Sequence, residues 1–158
     1  MDEKRGIGKG NRMMWHITKD LMRLKNLTKD HIVLLGRKTY DSMLYYYNKS
    51  GRPMPGKLYI IITRNKDYKP GRDNAVVMDS PEKAFAEYEG KIDEIFIIGG
   101  AQIFQQTFPL LDRLYLTIVK GDYNADTYFP DYSAFAHELE REEGDDNGIL
   151  YTFLTLEK

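Results

Sequence analysis

The chain has 158 residues, 42% hydrophobic, with 23 lysines and arginines against 24 aspartates and glutamates and a formal net charge of -1. That suits one domain over residues 1–158, with no linker or repeat to divide it, and gives no support for a nucleic-acid partner held by bulk electrostatics. The absence of cysteine excludes disulfides, thiolate metal sites and cysteine nucleophiles. His16, His31 and His137 are scattered, so no metal site is expected. No apolar signal segment follows Met1, and no run approaches the roughly 18 apolar residues of a membrane span. The chain therefore reads as soluble and cytoplasmic, without a membrane partner.

In chain order, Gly6-Ile7-Gly8-Lys9-Gly10 lacks a phosphate lysine at the right spacing and reads as a mobile lid. Behind the only tryptophan, Trp15, the periodicity predicts a helix over 18–27. At about 100° per residue, Leu24 and Leu27 fall within about 40° of Asp20 around its axis, while Lys19 and Arg23 point elsewhere. The Asp20 carboxylate thus faces the apolar side. So placed, it must be paired, protonated or completed by a ligand. The plainer alternative is an acid that merely favours the positive end of the helix.

Strands are expected over 31–35, 58–63, 75–78, 95–98 and 113–119, and helices over 39–45, 81–88 and 102–107. The helix over 81–88 opens with Ser80 as N-cap and Pro81 at its first position. Residues 58–62 and 95–98 are continuous apolar runs, the habit of strands covered on both faces. Residues 44–50, with Tyr45, Tyr46 and Tyr47, lead into Gly51-Arg52-Pro53-Met54-Pro55-Gly56 and read as a surface loop. Segments 135–142 and 149–156 flank a turn at Gly144-Asp145-Asp146-Asn147-Gly148 and predict an antiparallel hairpin. The fold class expected is α/β: a central mixed, mostly parallel sheet flanked by helices, with a C-terminal antiparallel hairpin.

Two strand-to-helix junctions carry glycine, Leu35-Gly36-Arg37-Lys38-Thr39 and Ile98-Gly99-Gly100-Ala101. In such folds ligands bind outside the carboxyl ends of the strands. Glycine admits close backbone approach, the helix start offers N–H groups, and Arg37, Lys38 and Thr39 add charge and a hydroxyl suited to phosphate. Thr63 and Arg64 could take a further phosphate. An ordinary tight turn is the alternative for either glycine junction, and neither junction matches a Walker A loop or the usual dinucleotide fingerprint.

In this order the motifs resemble the dihydrofolate reductase family from about Arg5 to the C-terminus. They are Gly6-Ile7-Gly8 with Asn11 and Trp15, Asp20-Leu21, Gly36-Arg37-Lys38-Thr39, Pro53-Met54-Pro55-Gly56, Ile98-Gly99-Gly100, Leu114-Tyr115-Leu116-Thr117, and Asp126-Thr127 before Phe129-Pro130. The resemblance implies NADPH as cofactor and hydride transfer to C6 of 7,8-dihydrofolate with protonation of N5, giving tetrahydrofolate. It makes Asp20 the pterin-binding acid and Thr117 its support, with Trp15 and Met13 in the loop that closes over the reacting rings. Leu21, Leu24, Met43, Met54, Ile98 and Phe104 would wall the substrate, with Lys57 at its glutamate tail. Gly8, Gly36, Arg37, Lys38, Thr39, Thr63, Arg64, Gly99, Gly100, Ala101, Gln102 and Ile103 would bind the cofactor, Thr63 and Arg64 near its 2′-phosphate. The Gly99–Gly100 peptide would be cis, and antifolates would be ligands.

The chain departs from the family at its front, where a buried apolar strand usual before the segment beginning at Asp2 has no counterpart. The slot would be filled by residues upstream of Met1, by a second copy of an otherwise monomeric chain, or left open with unpaired strand edges. Lys57 stands where the family has an arginine, which loses a planar two-bond grip on carboxylate. Met14 and Thr18 replace common prolines. The alternatives to this function are a non-catalytic nucleotide-binding module and the related pyrimidine reductase of riboflavin synthesis.

Overall fold

The computed structural model describes residues 1–91 and 94–158. Its elements in chain order are β1 (Gly6–Gly8), α1 (Thr18–Thr28), β2 (Ile32–Gly36), α2 (Arg37–Ser50), β3 (Leu58–Ile62), β4 (Ala75–Met78), α3 (Pro81–Tyr88), β5 (Ile95–Gly99), α4 (Ala101–Thr107), β6 (Arg113–Val119), β7 (Thr127–Tyr128), β8 (His137–Asp146) and β9 (Ile149–Glu157). They gather into two compact units, Arg23–Gln106 and Met1–Met22 with Thr107–Lys158. The α/β class read from the sequence holds, with a parallel sheet in the first unit and antiparallel strands in the second.

In the unit Arg23–Gln106 the parallel sheet runs β4-β3-β2-β5. Alternate residues of a strand face opposite sides, and both sides of β2 and β3 are covered. Ile32, Leu34, Ile60 and Ile62 pack with Ala84 of α3 and Ile103 of α4. Val33, Leu35, Tyr59 and Ile61 pack with Tyr40 of α2 and with Met54. The unbroken run over 58–62 is the sequence imprint of that double coverage. The run over 95–98 is only half-buried, contrary to expectation, because β5 ends the sheet order and, among the described residues, has β2 alone as its ladder neighbour.

Residues 44–50 are helical rather than a loop. Leu44 and Tyr47 pack beside Tyr40 and Tyr59, which holds the chain in α2 until Gly51, whose φ of 67° supplies a left-handed C-cap. Tyrosine carries only a mild helix penalty, so the stop lies at the glycine.

In the unit of Met1–Met22 and Thr107–Lys158, an antiparallel sheet β6-β9-β8 accompanies the two-stranded β1-β7. Ile17, Val119, Tyr151 and Phe153 form one of its core clusters, with Trp15 and Tyr123 packed against it, and Leu114, Leu116, Leu154 and Leu156 are buried as well. Strand β8 ends this sheet, and its residues 137–143 are exposed and mostly charged, as suits an edge that must not recruit another strand. The hairpin is tighter than expected: Asn147 and Gly148, at φ 54° and 86°, make the turn alone. Gly144 lies within β8 because a Cβ there would collide with the Tyr151 ring. Gly6–Gly8, within the stretch expected to be a mobile lid, is a strand paired with β7. Ahead of it, Asp2 makes one parallel bridge to Val119, and the Val119 N–H donates to the Met1 carbonyl at 2.8 Å. Among the described residues no helix is long and apolar enough to cross a membrane.

Candidate active site

In the antiparallel-sheet unit, Asp20 lies in the first turn of α1. The helix is fixed at its start by Ile17, buried to 2% exposure, and by Asp146, whose Oδ2 accepts the Thr18 N–H at 2.6 Å. A carboxylate there satisfies a helix-terminal donor and complements the positive end of the helix. Asp20 is half-buried, and its Oδ1 accepts the Thr117 hydroxyl at 2.6 Å. Thr117 is held on β6 opposite Phe153 of β9. The hydroxyl therefore pins one oxygen of the acid and fixes the plane of the carboxylate.

Trp15 meets Tyr123 edge to face, with centroids 5.2 Å apart, whereas Met13 is exposed. The segment between β1 and Trp15 is tied down by carboxylates distant in sequence. Asp126 Oδ2 accepts the Gly10 N–H at 2.7 Å. This bond, followed by the Thr127 hydroxyl, holds the Asp126 carboxyl below its ordinary value. Asp2, buried to 1% exposure, accepts from the Gly6 N–H at 2.7 Å, the Lys4 N–H at 2.9 Å and the Tyr123 N–H at 3.1 Å. In the sequence reading Asp2 stood only at the start of a segment and Asp146 only within the hairpin turn, neither with a role at the site. Asp126 stood in a family motif without an assigned role. Gly8 pairs with Thr127 in the β1-β7 ladder and contributes no side chain.

In the parallel-sheet unit, the turn from β2 into α2 departs from ordinary helix design. Gly36 is an extended N-cap with no side-chain cap, and the first turn holds no acid but does hold Arg37 and Lys38. Cations at the positive end of a helix are unfavourable unless an anion joins them. Gly36 sits where a Cβ would come 3.3 Å from Ile103 and 3.8 Å from the Gly99 carbonyl. The Gly100 N–H donates to Thr39 Oγ1 at 3.1 Å, so Gly36, Thr39, Gly99, Gly100 and Ile103 converge at the carboxyl ends of β2 and β5. Uncapped donors, two cations and a backbone cradle fit the phosphates of a dinucleotide. Ala101 and Gln102 open α4 beside this turn.

The expected cis peptide at Gly99–Gly100 is not found, and no cis bond occurs among the described residues. Gly99 turns the chain through a φ of 130° instead, a conformation open to glycine. Thr63 and Arg64 follow β3, with the Thr63 N–H donating to the Met78 carbonyl at 3.0 Å and Thr63 Oγ1 accepting the Asn65 N–H at 3.2 Å. Thr63 lines an open cleft of about 710 Å³ with Asn65, Lys66, Met78 and Lys83. Arg64 is exposed outside that lining, and Lys66 is a cation the sequence reading missed.

Met43, Met54 and Ile98 come together on one face of the parallel sheet, where they already serve core packing. The Phe104 ring stands 3.5 Å from the Cβ position of Gly99. Leu21 and Leu24 are half-buried on α1, and Lys57 is exposed after the Pro53–Gly56 turn.

A parallel α/β sheet with a cation-rich, glycine-lined turn at its strand ends defines a protein that takes its ligand beyond the carboxyl edge of the sheet. The sequence profile described as Dihydrofolate reductase matches residues 1–158, and the chain belongs to that family. Among its relatives, "Dihydrofolate reductase type 3" of Salmonella typhimurium is 35% identical over 96% of this chain and 90% of its own length. Dihydrofolate reductase of Bacillus subtilis (strain 168) is 34% identical over 100% and 90%. A solved structure of dihydrofolate reductase from Enterococcus faecalis, complexed with NADP(H) and RAB-propyl, superposes with a TM-score of 0.81 at 28% identity, covering 99% of this chain and 91% of that one.

Proposed function

We propose that this protein is an NADPH-dependent oxidoreductase that reduces 7,8-dihydrofolate to 5,6,7,8-tetrahydrofolate. NADPH, when bound, supplies the hydride that adds to C6 of the substrate, while a proton is taken up at N5. The observation that carries the assignment of the acid is the 2.6 Å bond from the Thr117 hydroxyl to Asp20. With that bond in place, both carboxylate oxygens of Asp20 keep lone pairs to accept from the 2-amino group and N3 of a pterin. A neutral C=N accepts hydride poorly, and an anchored negative charge favours the N5-protonated substrate. Asp20 orients the ring and water delivers the proton; no covalent intermediate is needed.

The uncapped first turn of α2 supports Arg37, Lys38 and Thr39 as ligands of cofactor phosphates, with Gly36, Gly99 and Gly100 as the cradle. Thr63 and Arg64, with Lys66 added, are read as the 2′-phosphate contacts, an arrangement that favours NADPH over NADH. Trp15 and Met13 are assigned to the closing loop. Lys57 is assigned to the substrate tail, gripped more weakly than by arginine. Family membership over residues 1–158 supports treating the whole chain as one functional domain that is open to antifolates; it is assigned to the cytoplasm, as a monomer unless a second copy supplies the strand missing at its front.

The test is NADPH oxidation on adding dihydrofolate, followed by absorbance and by identification of tetrahydrofolate. Turnover is expected. NADPH binding without dihydrofolate turnover would instead mean a nucleotide-binding module.

A further inference from the structure

Arg37 has an arrangement that ordinary helix stability does not explain. Its Nη1 donates to Asp41 Oδ2 at 3.3 Å, an i,i+4 pair with both side chains about two-fifths exposed. Ion pairs so exposed contribute little to stability. This one also runs in the weaker order, cation before acid, at the positive end of α2. Asp41 is nevertheless engaged from its other side, where the Tyr68 hydroxyl donates to Oδ1 at 2.5 Å. The Tyr68 ring also lies under the guanidinium, 5.9 Å from centroid to Cζ, within cation–π reach. Tyr68 comes from the connection between β3 and β4, which is anchored on α2 by the Tyr40 hydroxyl donating to the Pro70 carbonyl at 3.2 Å. Among the described residues, Arg37 Nε and Nη2 make no hydrogen bond, so the fork is held on one arm and open on the rest.

We infer that Asp41 and Tyr68 are positioning residues that hold the Arg37 guanidinium in place for a cofactor phosphate. The inference rests on the assignment of Arg37 given above. Asp41 fixes one arm of the fork and Tyr68 supports its face, so a phosphate meets a cation already ordered and loses less side-chain entropy on binding. The Tyr68 hydroxyl also offsets part of Asp41's negative charge beside the guanidinium. Burial, followed by the bond to Asp41, pushes the Tyr68 phenol well above its ordinary value, so it remains a donor across the physiological range.

The experiment compares NADPH dissociation constants and steady-state kcat for the parent, Tyr68→Phe, Arg37→Ala and the double variant. Asp41→Ala is run alone and with Arg37→Ala, and thermal melts establish that each is folded. Tyr68→Phe keeps the ring and removes the hydroxyl. It is expected to weaken NADPH about fivefold, the worth of one hydrogen bond, with kcat at saturating cofactor unchanged and no further weakening once Arg37 is alanine. Asp41→Ala should follow the same pattern. An undiminished effect of Tyr68→Phe in the Arg37→Ala background, or none in the parent, would overturn the positioning role. If Arg37→Ala itself leaves NADPH affinity unchanged, the assignment of Arg37 as a phosphate ligand fails and the inference falls with it.

Discussion

The two units hold their polar groups in opposite ways. In the parallel-sheet unit, the donor-rich turn is made by contiguous residues, Gly36 to Thr39, on the end of a strand with almost no exposure. In the other unit, the acid and its loops are held by single hydrogen bonds across long separations: Asp20 to Thr117, Asp126 to Gly10, Asp146 to Thr18. A contiguous turn inherits rigidity from the sheet beneath it. An assembly of distant carboxylates can fail at any one bond.

The largest expected effect is at Asp20. Asp20→Asn should cut dihydrofolate turnover at neutral pH by about 100-fold or more, the scale of a lost acid–base or charge contribution, while NADPH affinity stays close to that of the parent. Steady-state rates and cofactor titration measure both. Next is Tyr59→Phe in the parallel-sheet unit. The Tyr59 hydroxyl, whose pKa burial raises to about 12, accepts the buried Gly56 N–H at 2.8 Å. Removing that acceptor should cost about 1–3 kcal/mol of stability, seen in urea denaturation, with kcat unchanged. An equal loss of kcat would erase the contrast between scaffold and site.

Thr117→Val should lower turnover on the order of tenfold, as one charge-assisted hydrogen bond is lost. Turnover equal to the parent would make the 2.6 Å bond incidental. Arg64→Ala should erode the preference for NADPH over NADH by a similar factor. If both cofactors weaken alike, Lys66 becomes the better 2′-phosphate contact. The smallest effect concerns Asp126, whose carboxyl is held below its ordinary value of 3.8. A depressed acid stabilises the fold above its unfolded pKa, and the stability is lost as pH falls through the folded one. The melting temperature of the parent should exceed that of Asp126→Asn slightly at neutral pH, and the gap should close in strong acid.

The same contrast governs what the sequence disclosed. Residues 58–62 and the Ser80-Pro81 start of α3 were legible because continuous burial and helix capping leave local marks. The apolar run over 95–98 misled because nothing local states that β5 ends its sheet order. Residues 44–50 misled because three tyrosines resemble a loop until their packing against Tyr40 and Tyr59 is known. At the site, Arg37 and Thr39 stood out through their glycine neighbour. Asp41 and Tyr68, 27 positions apart, and Asp2, bonded to Tyr123 across 121 positions, had no pattern to announce them. Positive φ at Gly99 achieved the turn for which a cis bond was expected.

The central claim is that the Asp20 carboxylate favours the protonated pterin. Its most direct test is the rate of Asp20→Asn relative to the parent, with saturating NADPH and dihydrofolate, from mildly alkaline to acidic buffer. If Asp20 supplies that bias, the deficit should shrink as pH falls, because solvent protonates the substrate in its place. A deficit unchanged with pH, or no deficit at all, would contradict the claim.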